Sequence, residues 1–163
     1  DAGLLSKSNL KELESRGYKY ILGARPKNES QKIKDKILGL KLGYSQIKVI
    51  RRDKDTRLIV SMSEKRAAKD AHNRRLGLAR LEKRLGSGKL TKSSINNKGY
   101  NRYLEMLGEV TIRINYDKFS ADAAWDGIKA YVTNTSLPKR QILENYSNLW
   151  FICLLYTSDA ADE

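Results

Sequence analysis

The stretch from Ser63 to Leu85 most restricts what this chain can fold into. At about 100° per residue, Ala67, Ala71, Leu78, Leu81 and Leu85 form one stripe of a helix, and Lys65, Lys69, His72, Arg80 and Lys83 lie on the opposite side. A helix with such a stripe has to bury it, so the rest of the chain must supply an apolar surface. Arg74 interrupts the stripe and needs a partner or an escape to solvent. The far side has two readings: a solvated charged face, which is the ordinary one, or a row of DNA contacts at Lys65, Lys69, Arg80 and Lys83. His72 is the sole histidine, which excludes a histidine-pair metal motif such as HExxH.

On either side the pattern turns to strands and shorter helices. Gln46 to Arg52 and Arg57 to Met62 are alternating runs around the turn-rich Asp53-Lys54-Asp55-Thr56, which predicts a hairpin. Ser6 caps a short amphipathic helix over 6–16 with Leu10 and Leu13 on one side, and Gly17 supplies a left-handed stop. Tyr18 to Ala24 is β-prone and ends at Arg25-Pro26; with the preceding helix it predicts a piece of a parallel or mixed α/β sheet. Ser30 to Leu40 reads as a helix burying Ile33, Ile37 and Leu40.

Gly86-Ser87-Gly88 breaks the long helix, and Lys89 to Gly99 is a basic loop, either tracking a phosphate backbone or serving as a surface linker. Glu109 to Asn115 and Ile128 to Thr133 read as strands, with Trp125-Asp126-Gly127 where the connection between them turns back. Ser136 then caps a helix that carries Pro138 in its first turn and packs through Ile142, Leu143, Tyr146, Leu149 and Trp150.

Charge narrows the partners. Lys and Arg number 32 against 19 Asp and Glu, a net +13 that favours polyanions. A ribosomal-type or polybasic membrane-surface protein shows the same excess, so charge selects a class of partner and no reaction. No apolar run reaches the roughly 18 residues of a membrane span, and no signal peptide is recognisable. The sole cysteine, Cys153, allows no disulfide within the chain, which suits the cytoplasm.

Asp1 opens the chain before small residues and a helix start, which is how a strand delivers a carboxylate to a sheet edge; a helix cap is its other reading. Asp1-Ala2-Gly3-Leu4-Leu5-Ser6-Lys7, Tyr18-Lys19-Tyr20-Ile21-Leu22-Gly23-Ala24-Arg25, Trp125-Asp126-Gly127 and Tyr146-Ser147-Asn148-Leu149-Trp150 together resemble a DDE transposase of the IS4-like class, IS1634-type branch. The resemblance covers 1–152 and implies that Asp1 is the second of three catalytic acids. The third is expected seven residues after Tyr146, where this chain has Cys153. From Cys153 to Glu163 the last eleven residues resemble a translated sequencing adapter, so the expectation is an internal fragment with a foreign tail.

The implied fold is α/β: a partial RNase H-like core (1–24 and 136–152) interrupted by a β-rich insertion (25–135) that carries the long basic helix. The implied activity is cleavage and joining of DNA phosphodiesters at insertion-sequence ends, with two Mg²⁺ ions about 3.5–4 Å apart on the three carboxylates. The implied partners are double-stranded DNA and, in the intact enzyme, a second copy in a homodimer. The implied location is the bacterial cytoplasm, associated with the nucleoid and with no membrane.

Lacking two of the three acids, the fragment itself is expected to be inactive. The resemblance sets Tyr146 beside the active site as a DNA-positioning hydroxyl, and Trp125 against unstacked bases. On their residues alone Trp125 is a packing residue at a strand entrance and Tyr146 a core tyrosine on an amphipathic helix, a role compatible with positioning DNA. Leu149 departs from the Arg that many members carry there. The competing readings are a non-catalytic basic nucleic-acid-binding module, for which Asp1 is incidental, and a structural protein kept soluble by its charge.

Overall fold

The computed structural model describes residues 6–109 and 111–148, a mixed α/β arrangement. In chain order the elements are α1 (Lys7–Ser15), β1 (Ile21–Ala24), α2 (Gln31–Gly39), β2 (Ile47–Arg51), β3 (Arg57–Met62), α3 (Glu64–Gly86), β4 (Leu104–Leu107), β5 (Thr111–Ile114), α4 (Tyr116–Ala121), β6 (Ile128–Thr133) and α5 (139–148). They form two compact units. One runs to Met62 and resumes at Ile128, and the other is Ser63–Gly127. Among the described residues no helix is long and apolar enough to cross a membrane.

The first unit grows from the β2–β3 hairpin, as its turn chemistry predicts. Asp53 organises the turn: one carboxylate oxygen accepts the amides of Asp55 (3.0 Å) and Thr56 (2.8 Å), and the other accepts the Thr56 hydroxyl (2.6 Å). Burial opposes ionisation of Asp53, but these donors and the nearby Arg52 prevail and hold its pKa below the ordinary carboxylate value. β3 then pairs with β6 from Arg57↔Thr133 to Met62↔Ile128, and β6 pairs with β1, giving the order β1-β6-β3-β2.

Every pairing among the described strands is antiparallel, and the strand end that the sequence reading placed before α1 lies outside the described residues. β1 takes β6, more than 100 residues later in the chain, as its described neighbour. The same pairing explains why the compact units divide at 62/63 and 127/128. Residues 128–133 share one sheet with 21–24.

Nor does β3 alternate as predicted. Leu58, Ile59 and Val60 are all fully buried, as is Val132 opposite Leu58. Successive strand side chains point to opposite faces, so both faces of this sheet are covered. On one face Ile59 and Tyr131 pack with Ile142 of α5, flanked by Leu137, Leu143 and Tyr146. α2 adds Ile33 and Ile37 to the interior of the unit.

The Ser6 cap of α1 and the left-handed Gly17 (φ +73°) follow expectation. The start of α5 does not: its first bond runs from the Ile142 amide to the Pro138 carbonyl, leaving Ser136 outside the helix. The residue before Pro138 is biased away from the helical region, and the Arg57 guanidinium donates to the carbonyls of Thr135 and Leu137 (2.9 Å to the latter) in that segment.

In the second unit α3 buries Leu81 against Tyr103, Leu104 and Ile114, with Leu78, Leu85, Tyr100 and Phe119 around them. Gly77 admits the ring of Tyr100, since a Cβ there would come within 2.4 Å of ring carbons. Two elements go beyond the expected ones. β4 pairs with β5, Leu104↔Ile114 to Leu107↔Thr111, and α4 fills part of the expected connection, capped by the Asn115 side chain on the Lys118 amide (2.7 Å). Both are too short for periodicity to reveal.

Candidate nucleic-acid interface

α3 starts at Ser63, whose hydroxyl accepts the Arg66 amide, and carries Glu64 in its first turn and Lys83 and Arg84 in its last, as the helix dipole favours. Its orientation about its own axis is set by the turn at Trp125-Asp126-Gly127. Asp126 meets Arg74 at 2.5 Å, and the guanidinium lies 4.9 Å from the centre of the Phe119 ring. The hydrogen bond that Arg74 donates to Asp126 raises the pKa of Arg74 above its already high value, against the effect of burial. This is the partner that the arginine in the apolar stripe requires.

Gly127 completes the lock. Its backbone has φ +81°, its amide donates to Asp70 (3.1 Å), and a Cβ would lie 2.7 Å from both the Ser63 carbonyl oxygen and the Ala67 methyl. With the stripe seated, Lys65, Lys69, His72, Arg80 and Lys83 are all exposed on the far side, as predicted.

The four cations Lys65, Lys69, Arg80 and Lys83 enter no ion pair among the described residues. Two of the three acids of α3 are engaged elsewhere: Asp70 faces Arg66 (3.5 Å) and Gly127, and Glu82 accepts the Tyr116 hydroxyl (3.0 Å). From Lys65 to Lys83 the row is roughly 27 Å long at about 1.5 Å per residue. Leu76, 45 % exposed in the middle of it, is the member that the sequence reading omitted, although the same helical angle places it there.

The other predicted site residues lie apart. Trp125 is half-buried at the end of the short 3₁₀ turn Asp122–Trp125 in the unit of α3. Tyr146 belongs to the first unit, with its ring centre 4.6 Å from that of Tyr131. Its hydroxyl crosses β1 at Gly23, where a Cβ would come within 2.6 Å of it. Asp1 and Cys153 lie outside the described residues. Among those described, no three His, Cys, Asp or Glu side chains converge as metal ligands.

The contact at Gly23 predicts a measurable coupling. Gly23→Ala should destabilise the protein by about 1–3 kcal/mol through overpacking, and Tyr146→Phe in the same chain should recover most of that, because the phenolic oxygen is the atom in the way. Urea unfolding of the two single variants and the double variant measures it; additive losses would show that the hydroxyl is not what Gly23 accommodates.

A further buried polar group lies in the second unit. The Tyr103 hydroxyl donates to Asp122 (2.6 Å) and accepts from Arg102 (2.8 Å); burial, then Asp122, pushes its pKa up to about 12. A phenol held neutral in this way ties the chain before β4 to the turn after α4. The chain matches no family model, no curated protein and no solved structure.

Proposed function

We propose that this chain is part of a DNA transposase, and that the far face of α3 lies along the phosphate backbone of double-stranded DNA. The observation that carries the DNA-binding half is the row Lys65, Lys69, Arg80 and Lys83, exposed and in no ion pair among the described residues, on a helix whose other side is locked into a core. Such a face binds phosphates without reading bases, because its contacts are charge-based. The net charge of +13 supports it.

The transposase half rests on the four resembling segments. It assigns 1–24 and 136–152 to an RNase H-like core with 25–135 inserted, Asp1 to the catalytic acids, and Tyr146 and Trp125 to the neighbourhood of the DNA. A homodimer working in the bacterial cytoplasm goes with it. Residues fit to hold Mg²⁺ would have to come from Asp1 and from acids beyond the described part; the ions would supply activation of the attacking oxygen and stabilisation of the leaving one.

Titration of the chain with a labelled duplex at several salt concentrations tests the interface. Affinity should fall steeply with salt, and changing Lys65, Lys69, Arg80 and Lys83 to Gln together should reduce the slope of log K against log salt by about 3.6, at about 0.9 per phosphate contact. An unchanged slope would remove α3 from the interface. Cleavage of insertion-sequence ends by a protein bearing all three acids, abolished by Asp1→Asn with binding retained, separates a transposase from a basic module that only binds.

A further inference from the structure

In the first unit, the β2–β3 turn and the segment after β6 enclose an open cavity of about 420 Å³. Arg51, Lys54, Asp55 and Arg57 line it from the hairpin, Val49 forms part of its wall, and residues 134–136 close the other side. We infer that this cavity binds the phosphate of a nucleotide, with the sugar or base against Val49.

Three cations face one carboxylate, Asp55, and the two arginines are held in a manner that leaves their charge available. Arg51 donates to the carbonyls of Asp53 and Lys54, both at 3.2 Å. Arg57 donates to those of Thr135 and Leu137. A carbonyl orients a guanidinium without cancelling its charge, and a guanidinium so fixed loses little freedom when an anion arrives. The nearest other acid, Asp53, is occupied by Thr56, the Asp55 amide and Arg52. Lys54 stands exposed at the turn and forms no ion pair among the described residues.

Phosphate is the anion that suits this set, because several oxygens can meet donors converging from the turn and from Ser136. Val49 argues for more than inorganic phosphate. It is 44 % exposed on an edge strand, an apolar surface that a sugar or base covers and a bare ion does not. The volume falls within the range of about 300–1,000 Å³ common for small-molecule sites. All of these residues belong to the first unit, so the inference does not depend on the α3 face.

The test is an amide-resolved NMR titration of the whole chain with inorganic phosphate, a nucleoside monophosphate and a short oligothymidylate. Saturable shifts are expected at the amides of 54–57 and 134–136, with the monophosphate binding more tightly than inorganic phosphate. Arg51→Gln and Lys54→Gln should each weaken it about tenfold, as expected for one lost charge-assisted contact. Lys54 is exposed, so K54Q retains the fold and keeps the test valid if R51Q does not.

Tighter binding of the oligonucleotide than of the monophosphate, lost in K54Q, supports the inference with a strand as the source; the reverse order supports it with a free nucleotide. Absence of saturable shifts at those amides, binding unaffected by K54Q, or inorganic phosphate binding as tightly as the monophosphate overturns it. Applying the titration to the α3 Gln variant keeps the two interfaces distinguishable, since that variant should retain these shifts.

Discussion

Arg74→Met should destabilise the second unit by about 3–5 kcal/mol, the cost of removing one partner of a buried ion pair. The side chains of Arg74 and Asp126 are only 13 % and 16 % exposed, so the carboxylate left behind finds little water. The loss includes the stacking over Phe119, which methionine replaces in bulk but not in charge. Asp126→Leu should cost a similar amount by leaving the guanidinium unpaired. The double variant should recover much of the loss, because two apolar groups of similar volume leave neither charge stranded. Urea unfolding of the four proteins, with hydrogen exchange at α3 amides to locate the effect, checks this. Single losses below about 1 kcal/mol, or losses that simply add, would mean that solvent reaches the pair and that the turn is not locked through it.

Ile142→Ala should have an effect of comparable size in the first unit, about 2–5 kcal/mol for a buried aliphatic truncated to alanine. Ile142 is fully buried and is the member of α5 that enters the cluster with Ile59 and Tyr131, while Leu143 and Tyr146 flank it half-buried. The cavity it leaves faces two strands paired Ile59↔Tyr131, which cannot close inward without breaking their ladder. Loss of exchange protection should therefore appear at 142–148 at lower denaturant than in β3 or β6. Protection lost uniformly, or a destabilisation below about 1 kcal/mol, would show that α5 is anchored elsewhere.

The parts that the sequence determined by itself are local. The two faces of α3 follow from helical spacing, the β2–β3 hairpin from a polar turn between β-prone runs, and α1 from Ser6 and Gly17, because each depends on residues within a few positions of one another. The row of Lys65, Lys69, Arg80 and Lys83 was legible for the same reason. Leu76 falls on that side by the same helical angle.

Tertiary structure alone decided what depends on partners far away in the chain. The need of Arg74 for a partner was visible, but its identity was not, since Asp126 lies 52 positions on. β1 takes its described neighbour more than 100 residues later, in an antiparallel pairing that no local pattern announces. Burial of both sheet faces erased the alternation expected of β3. Arg57, read from sequence as the start of a strand, also donates to the carbonyls of Thr135 and Leu137 and lines the cavity beside Arg51 and Lys54. Periodicity records which side of an element is apolar, but the element that covers that side is selected by packing and by the cost of leaving a buried charge alone, and neither is a property of neighbouring residues.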